Sequence, residues 1–171
     1  MRILLTQGKF AIINKRDFLL VSKYKWHYRS SGKTGGKNGY AEHSMYVKKR
    51  YRETGESYHQ NIFMHNLILP PHDGLQIDHI NRNGLDNRRK NLRLGTISQN
   101  YANFPKKKNT NSQYRGVSFL KRIKGKQWQA STTVNGNGVY IGIFETETEA
   151  AMAYNIAAKK FFGEFAQLNK V

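Results

Sequence analysis

The 25 residues from Gln76 to Asn100, QIDHINRNGLDNRRKNLRLGTISQN, constrain this chain more than any other stretch. Gln76–Ile80 alternates, with Ile77 and Ile80 apolar, and reads as a strand. NRNGLDN, residues 81–87, is a cluster of Asn, Asp and Gly. These residues make turns because they tolerate left-handed backbone or bond their own main chain. Leu92–Thr96 reads as a second short strand. Thr96 and Gln99 have the spacing of a capping box, which predicts a helix beginning at Ile97. The local order is strand, loop, strand, helix.

Chemistry-bearing side chains fall at chosen points of this pattern. Asp78 offers hard carboxylate oxygens at a strand end, and Asn100 offers an amide oxygen one turn into the helix. Such oxygens suit Mg²⁺ or a similar cation, which keeps most of its waters and also binds substrate phosphate. His79 is the natural general base, because its ordinary pKa lies near neutrality. A carboxylate and an amide on a metal, beside an imidazole, can hydrolyse a phosphodiester. The bland alternative is a polar surface loop with an incidental histidine, since a DH dipeptide alone is a weak signal.

The ordered combination of Asp78-His79, Asn87, Asn91-Leu92-Arg93, Thr96 and Asn100 resembles the HNH nuclease motif, above all that of phage and intron-encoded homing endonucleases. The resemblance implies a ββα-metal site. In it His79 activates water, Asp78 and Asn100 hold the metal, and Asn91 braces the loop and orients His79 by hydrogen bonding. Many relatives carry a His where Asn100 stands. An Asp/Asn pair implies weaker ligation and Mg²⁺ (or Mn²⁺) rather than Zn²⁺. The chain has no cysteine, hence no structural zinc ribbon, and fits a reducing compartment.

Lys and Arg number 29 against 11 Asp and Glu, a formal charge of +18. That excess calls for a polyanionic partner, nucleic acid first. An anionic membrane is disfavoured: no apolar or strongly amphipathic face is long enough, and no signal peptide is recognised. Aromatic residues at 12% are too frequent for a disordered basic tail.

Before the central stretch, RILL and FAII read as strands around a turn at Thr6–Lys9. Asp17 is placed to cap a helix over DFLLVSKYKW, and Trp26 is expected in a core. RSSGKTGGKNG, residues 29–39, reads as a loop. Gly39–Lys49 and Tyr58–Met64 form an expected hairpin turning at Thr54–Glu56. Its Lys48, Lys49, Arg50 and Arg52 have no local acid to balance them and are expected on the DNA backbone. FMHNLIL, residues 63–69, is expected as a short helix packed under the motif and ended by Pro70-Pro71, with His65 structural. Arg93 is either a basic aid to the motif on DNA or a surface strand residue.

Residues 105–113, PKKKNTNSQ, read as a basic linker whose Lys106, Lys107 and Lys108 can track phosphate. Beyond it, YRGVSFL, KQWQASTTV and GVYIGIF read as three strands. A helix follows, capped by Thr146 and Glu149, with a small-residue face of Ala150, Ala151, Ala153, Tyr154, Ala157, Ala158 and Phe161, and Gly163 as C-cap. Residues 106–140 hold eight Lys or Arg and no acid, whereas 141–171 hold three Lys and four Glu. The exposed sheet face is therefore expected to be basic and the helix its support, with Lys121, Arg122, Lys124 and Lys126 on phosphate. Trp128 fits the core better than a base contact.

Residues 114–171 resemble the plant ethylene-response-factor (APETALA-type) DNA-binding domain. The resemblance rests on Tyr114-Arg115-Gly116-Val117, Trp128, Tyr140–Phe144, Glu149–Tyr154, Ala157-Ala158, Gly163 and Leu168-Asn169. It implies that the sheet reads the major groove. Arg115 matches a DNA-contacting Arg, and Tyr140 sits where plant members carry Trp. Ser118 and Leu120 stand where those members often have Arg, so base preference does not carry over.

The sequence thus predicts an α+β chain: a ββα-metal nuclease domain over 1–104 (core about 61–104, β-rich leader 1–60), a linker over 105–113, and a three-stranded antiparallel sheet on one helix over 114–171. The expected activity is site-specific DNA endonuclease of homing type, acting on double-stranded DNA as a monomer. The expected setting is the cytoplasm of a bacterial host, encoded by a phage or mobile element. The rival expectations are a DNA-binding regulator with an inactive nuclease site and a basic RNA-binding protein.

Overall fold

The computed structural model describes residues 1–30, 39–48, 57–106, 110–121 and 127–171, and of 46–48 and 57–59 the backbone alone. It is a mixed α/β chain with several small antiparallel sheets, and it divides into two compact units, Met1–Leu94 and Gly95–Val171. The division falls inside the central stretch rather than in the 105–113 segment where sequence composition changes.

In the first unit, β1 (Arg2–Leu4) and β2 (Phe10–Ile12) pair antiparallel around a tight turn at Thr6–Gly8. Helix α1 spans only Phe18–Val21, shorter than expected. The Val21 carbonyl accepts both the Tyr24 amide (3.2 Å) and the Trp26 indole N–H (2.9 Å), which turns the chain instead of continuing the helix. Asp17 makes no side-chain cap; its carboxylate takes the Arg89 guanidinium, with Nη2 at 2.8 Å. Trp26 lies in the core, as expected, with Ile13, Val21, Met64 and Ile68.

Strands β3 (His27–Arg29), β4 (Tyr40–Lys48) and β5 (Ser57–Phe63) form a sheet in that order, so the expected hairpin gains a third strand. The turn expected at Thr54–Glu56 lies outside the described residues. Helix α2 (Met64–Ile68) follows directly, with Met64 and Ile68 buried. Strands β6 (Gln76–His79) and β7 (Leu92–Gly95) pair in a two-stranded sheet. Gly84, in the connecting loop, is pressed against the Gly39 carbonyl and the Tyr40 ring, where a Cβ would collide. Gly84→Ala should therefore cost about 1–3 kcal/mol by overpacking, measured as a fall in the urea midpoint at constant slope.

In the second unit, helix α3 (Ile97–Ala102) begins where expected, with both hydrogen bonds of the Thr96–Gln99 capping box formed. Strands β8 (Val117–Phe119), β9 (Trp128–Val134) and β10 (Asn137–Phe144) form an antiparallel sheet in the order β10-β9-β8. Helix α4 (Glu147–Phe162) starts on the Thr146–Glu149 box and ends at Gly163, which has φ 55°. Its alanines bring it close to the sheet: Ala150, Ala151 and Ala158 are fully buried with Tyr154. At its end Phe162 turns inward and Phe161 outward, so the expected Phe161 contact belongs to Phe162.

The strands β8, β9 and β10 contain no Lys or Arg at all. Ala130 faces the helix, so Gln129 and Ser131 point the other way, beside Ser118 and Tyr140 across the ladders. The described strands thus bring no positive charge to the outer sheet face: all eight Lys and Arg of residues 106–140 fall outside β8, β9 and β10 in sequence. Among the described residues no helix is long and apolar enough to cross a membrane.

Candidate active site

The β6–β7 connection is a hydrogen-bonded frame built from short polar side chains. Asn91 is buried and braces it. Its Nδ2 donates to Asn81 Oδ1 (3.0 Å) and to the Asp86 carbonyl (2.7 Å), while its Oδ1 accepts the Asn81 amide (3.0 Å). Asn81 Nδ2 donates to Asp86 Oδ2 (2.9 Å), and the Ile80 amide meets the Asn91 carbonyl (2.9 Å). Strand β2 holds the loop from outside: Ile12 N–H donates to the Leu85 carbonyl and Asn87 N–H to the Ile12 carbonyl, both at 2.7 Å.

Asp86 anchors the frame electrostatically. Arg88 donates to both its oxygens at 2.7 Å, and this pairing holds the carboxyl below its ordinary value despite burial. A depressed carboxylate contributes stability that is present above the unfolded pKa and lost as pH falls through the folded one. Asp86→Asn should therefore melt below wild type at pH 7. The gap should close as pH falls below the ordinary carboxylate value of about 4, in a series of thermal melts.

His79 ends β6 and is 7% exposed. Its Nε2 lies 3.1 Å from Asn87 Oδ1. An amide oxygen only accepts, so this bond requires the proton on Nε2 and leaves the ring's lone pair on Nδ1. Asn87 is fully buried, and its Nδ2 donates to Met64 Sδ, which fixes the amide's orientation. The hydrogen bond to His79 expected of Asn91 is made by Asn87, while Asn91 braces the loop. Asn87 stood in the sequence pattern without a role, because turn composition does not say which Asn points inward. Burial lowers the His79 pKa, partly offset by the Asn87 bond and by the Asp78 and Asp86 charges, which leaves the ring neutral near pH 7.

Aromatic rings wall this imidazole. His65 lies 5.1 Å away edge-on, stacked at 5.3 Å on Phe63, and Tyr40 lies 6.1 Å from His79. Burial pushes His65 down to about 3, and no described residue hydrogen bonds its Nδ1. The ring is packed between Phe63, Tyr40 and His79.

Asp78 is 4% exposed, and its Oδ2 accepts Arg93 Nε (2.8 Å) and Nη2 (2.7 Å). The Arg93 side chain is itself only 11% exposed. It is the counterion of Asp78 rather than a surface strand residue. Asn100 stands on α3 in the second unit, its amide bonded to the Thr96 carbonyl (2.9 Å). Among the described residues no group of three or more His, Cys, Asp or Glu is placed to hold a metal ion.

A model of the HNH endonuclease family matches residues 69–102, which enclose this frame. Across 96% of its length the chain is 34% identical to an uncharacterised HNH endonuclease of Acanthamoeba polyphaga mimivirus, covering 77% of that protein. The chain belongs to the HNH endonuclease family. It is also 45% identical over 60 residues to an AP2-like ethylene-responsive transcription factor of Arabidopsis thaliana, covering 12% of that protein. An APETALA2-like protein of Oryza sativa gives 45% over 58 residues, 13% of its length. No solved structure matches.

The remaining expected contacts of this HNH protein divide by position. Lys49, Arg50, Arg52, Lys107, Lys108, Arg122, Lys124 and Lys126 lie outside the described residues, as does the Lys48 side chain at the end of β4. Lys121 is exposed, Lys106 half-buried, and Tyr140 is 62% exposed on the outer sheet face. Arg115 does not stand open: its Nε donates to Tyr154 Oη (2.7 Å), Nη2 to the Tyr101 carbonyl (2.9 Å) and Nη1 to the Phe104 carbonyl.

Proposed function

We propose that this protein is a metal-dependent, site-specific DNA endonuclease of homing type. The observation that carries the reading is His79: a buried imidazole whose Nε2 is tied to Asn87 Oδ1, with Asp78 adjacent in sequence. Strands β6 and β7 with α3 are read as a ββα-metal unit within a nuclease domain over 1–104, joined by 105–113 to a DNA-binding domain over 114–171. The plant likenesses support that last assignment. The family name supports a DNA substrate, and the net charge of +18 supports a polyanionic one independently.

In this reading His79 Nδ1 takes the proton from water as its oxygen attacks phosphorus, and the 3′ oxygen departs. Asn87 holds the ring's tautomer and angle, and Asn91 holds the loop that carries Asn87. Asp78 and Asn100 would hold Mg²⁺ or Mn²⁺, which when bound supplies positive charge to the phosphate and the leaving oxygen. Lys121, Arg122, Lys124 and Lys126, with Lys106–Lys108 and Lys48–Arg52, supply phosphate contacts. Tyr140 meets bases. A single site on a monomer favours cutting one strand. A viral relative supports an origin in a virus or mobile element and action inside its host's cell.

The Asp78–Arg93 pair favours a second reading, because Arg93 already neutralises the expected metal ligand. That is a DNA-binding regulator with an inactive site. Supercoiled DNA carrying the protein's own genomic neighbourhood separates the two. Nicking with Mg²⁺ or Mn²⁺ that stops in EDTA supports the nuclease. Tight, salt-sensitive binding without nicking supports the regulator.

A further inference from the structure

The family match runs through residue 102, yet the compact units divide between Leu94 and Gly95. The last element of the matched motif, α3, is therefore built into the C-terminal unit. Ala102 shares a core with Val117, Tyr154 and Phe165, and Phe165 also lies against Gly95. The Gln167 amide donates to the Ala102 carbonyl (3.1 Å), and the Asn135 amide to Ser98 Oγ (3.0 Å). A helix of six residues does not hold itself, so these contacts decide whether α3 exists.

We propose that Arg115 is a positioning residue for the nuclease reaction: it fastens the C-terminal end of α3 to the DNA-binding module, and through α3 fixes Asn100. The last carbonyls of a helix have no partner within it, and a cation there is favoured by charge as well as by hydrogen bonding. Arg115 supplies both to the Tyr101 carbonyl in the last turn, which also accepts the Phe104 N–H, and reaches the Phe104 carbonyl just past the helix end, while Tyr154 Oη, from α4, fixes the guanidinium's third edge. Its own backbone is held in turn: Asn169 Oδ1 accepts its N–H (2.7 Å), and Asn169 Nδ2 donates to its carbonyl (3.1 Å). Gly116 next to it has φ 72° and lies on the Tyr154 ring, where any Cβ would collide. The segment Tyr114–Gly116 is thus a clasp rather than a reading strand. The assignment rests on Asn100 acting in the site.

The test uses the full chain with Arg115→Lys, Arg115→Met and Tyr154→Phe. Lysine keeps a charge for phosphate but has no planar fork to bridge three acceptors. Arg115→Lys and Arg115→Met should speed hydrogen exchange at the Asn100 and Asn103 amides by about tenfold or more, since each lost hydrogen bond is worth about 1 kcal/mol. Nicking should slow by a similar factor. DNA affinity in EDTA, and its dependence on salt, should not change. Tyr154→Phe should shift exchange in the same direction and less. If Arg115 variants lose protection across the whole C-terminal unit, Tyr154→Phe decides, with α3-confined loss supporting the clasp and unchanged α3 protection overturning it. The proposal also falls if Arg115→Lys behaves as wild type. It falls equally if Arg115→Met weakens DNA binding with a salt slope reduced by about one, the mark of a lost phosphate contact, while α3 exchange is unchanged. Absent nicking in wild type would remove the nuclease reading, and the exchange and salt measurements would still decide what Arg115 does.

Discussion

His79→Ala should lower metal-dependent nicking by about a hundredfold to ten-thousandfold, the range that a positioned acid–base group supplies, while DNA binding in EDTA stays within about twofold of wild type by the same reasoning, since a ring with 7% exposure contributes little to a phosphate surface. The structure sets the form of the control. Removing the imidazole leaves Asn87 Oδ1 without its partner and opens space beside His65 and Tyr40. A fall in activity from partial unfolding must be told from loss of the base. His79→Asn keeps a side-chain N–H that can reach for Asn87 but has no basic nitrogen. Both variants should be equally inactive, and His79→Asn should recover part of any stability lost by His79→Ala. Thermal melts read the second quantity and plasmid relaxation the first. Activity in His79→Asn would remove His79 from the role of base.

What was legible in the sequence was local. Both capping boxes formed because Thr96–Gln99 and Thr146–Glu149 act within a single turn, where spacing alone decides geometry. The strand, loop, strand, helix order of the central stretch was legible for the same reason, and so was Trp26 as core. Partners distant in sequence were not. Asp17 has the sequence position of a cap, but its carboxylate belongs to Arg89, 72 residues away. Arg115 has the sequence position of a DNA contact, and its guanidinium meets Tyr154, 39 residues away. A charged side chain in an excess of like charges looks like a ligand for phosphate; only the fold shows which ones already have an internal acceptor. The sheet misled in a similar way. Charge summed over 106–140 points to the strands, whereas every basic residue there lies outside them.

Arg93 is the sharpest case, because its two readings predict opposite results. As a phosphate contact it would be dispensable for folding, and its loss would weaken DNA binding and flatten the salt dependence. As the counterion of Asp78 it should be needed by the fold. Both partners are nearly buried, at 11% and 4% side-chain exposure, and two N–H groups converge on one carboxylate oxygen. Removing one member of such a pair strands the other's charge and costs about 3–5 kcal/mol, a fall in melting temperature of more than about 10 °C for a unit of this size. Arg93→Met keeps most of the side chain's volume, so its cost is mainly electrostatic. Asp78→Asn alone should be destabilising too, since it leaves the guanidinium with a neutral partner. The double variant should be more stable than the sum of the single losses predicts, because neither charge is then stranded. It should nonetheless be inactive, since Asp78 is gone. That pattern, coupling in stability with no recovery of nicking, separates what Arg93 does for Asp78 from what Asp78 does for the reaction. Additive losses, or an Arg93→Met protein as stable as wild type with weakened DNA binding, would return Arg93 to the DNA surface.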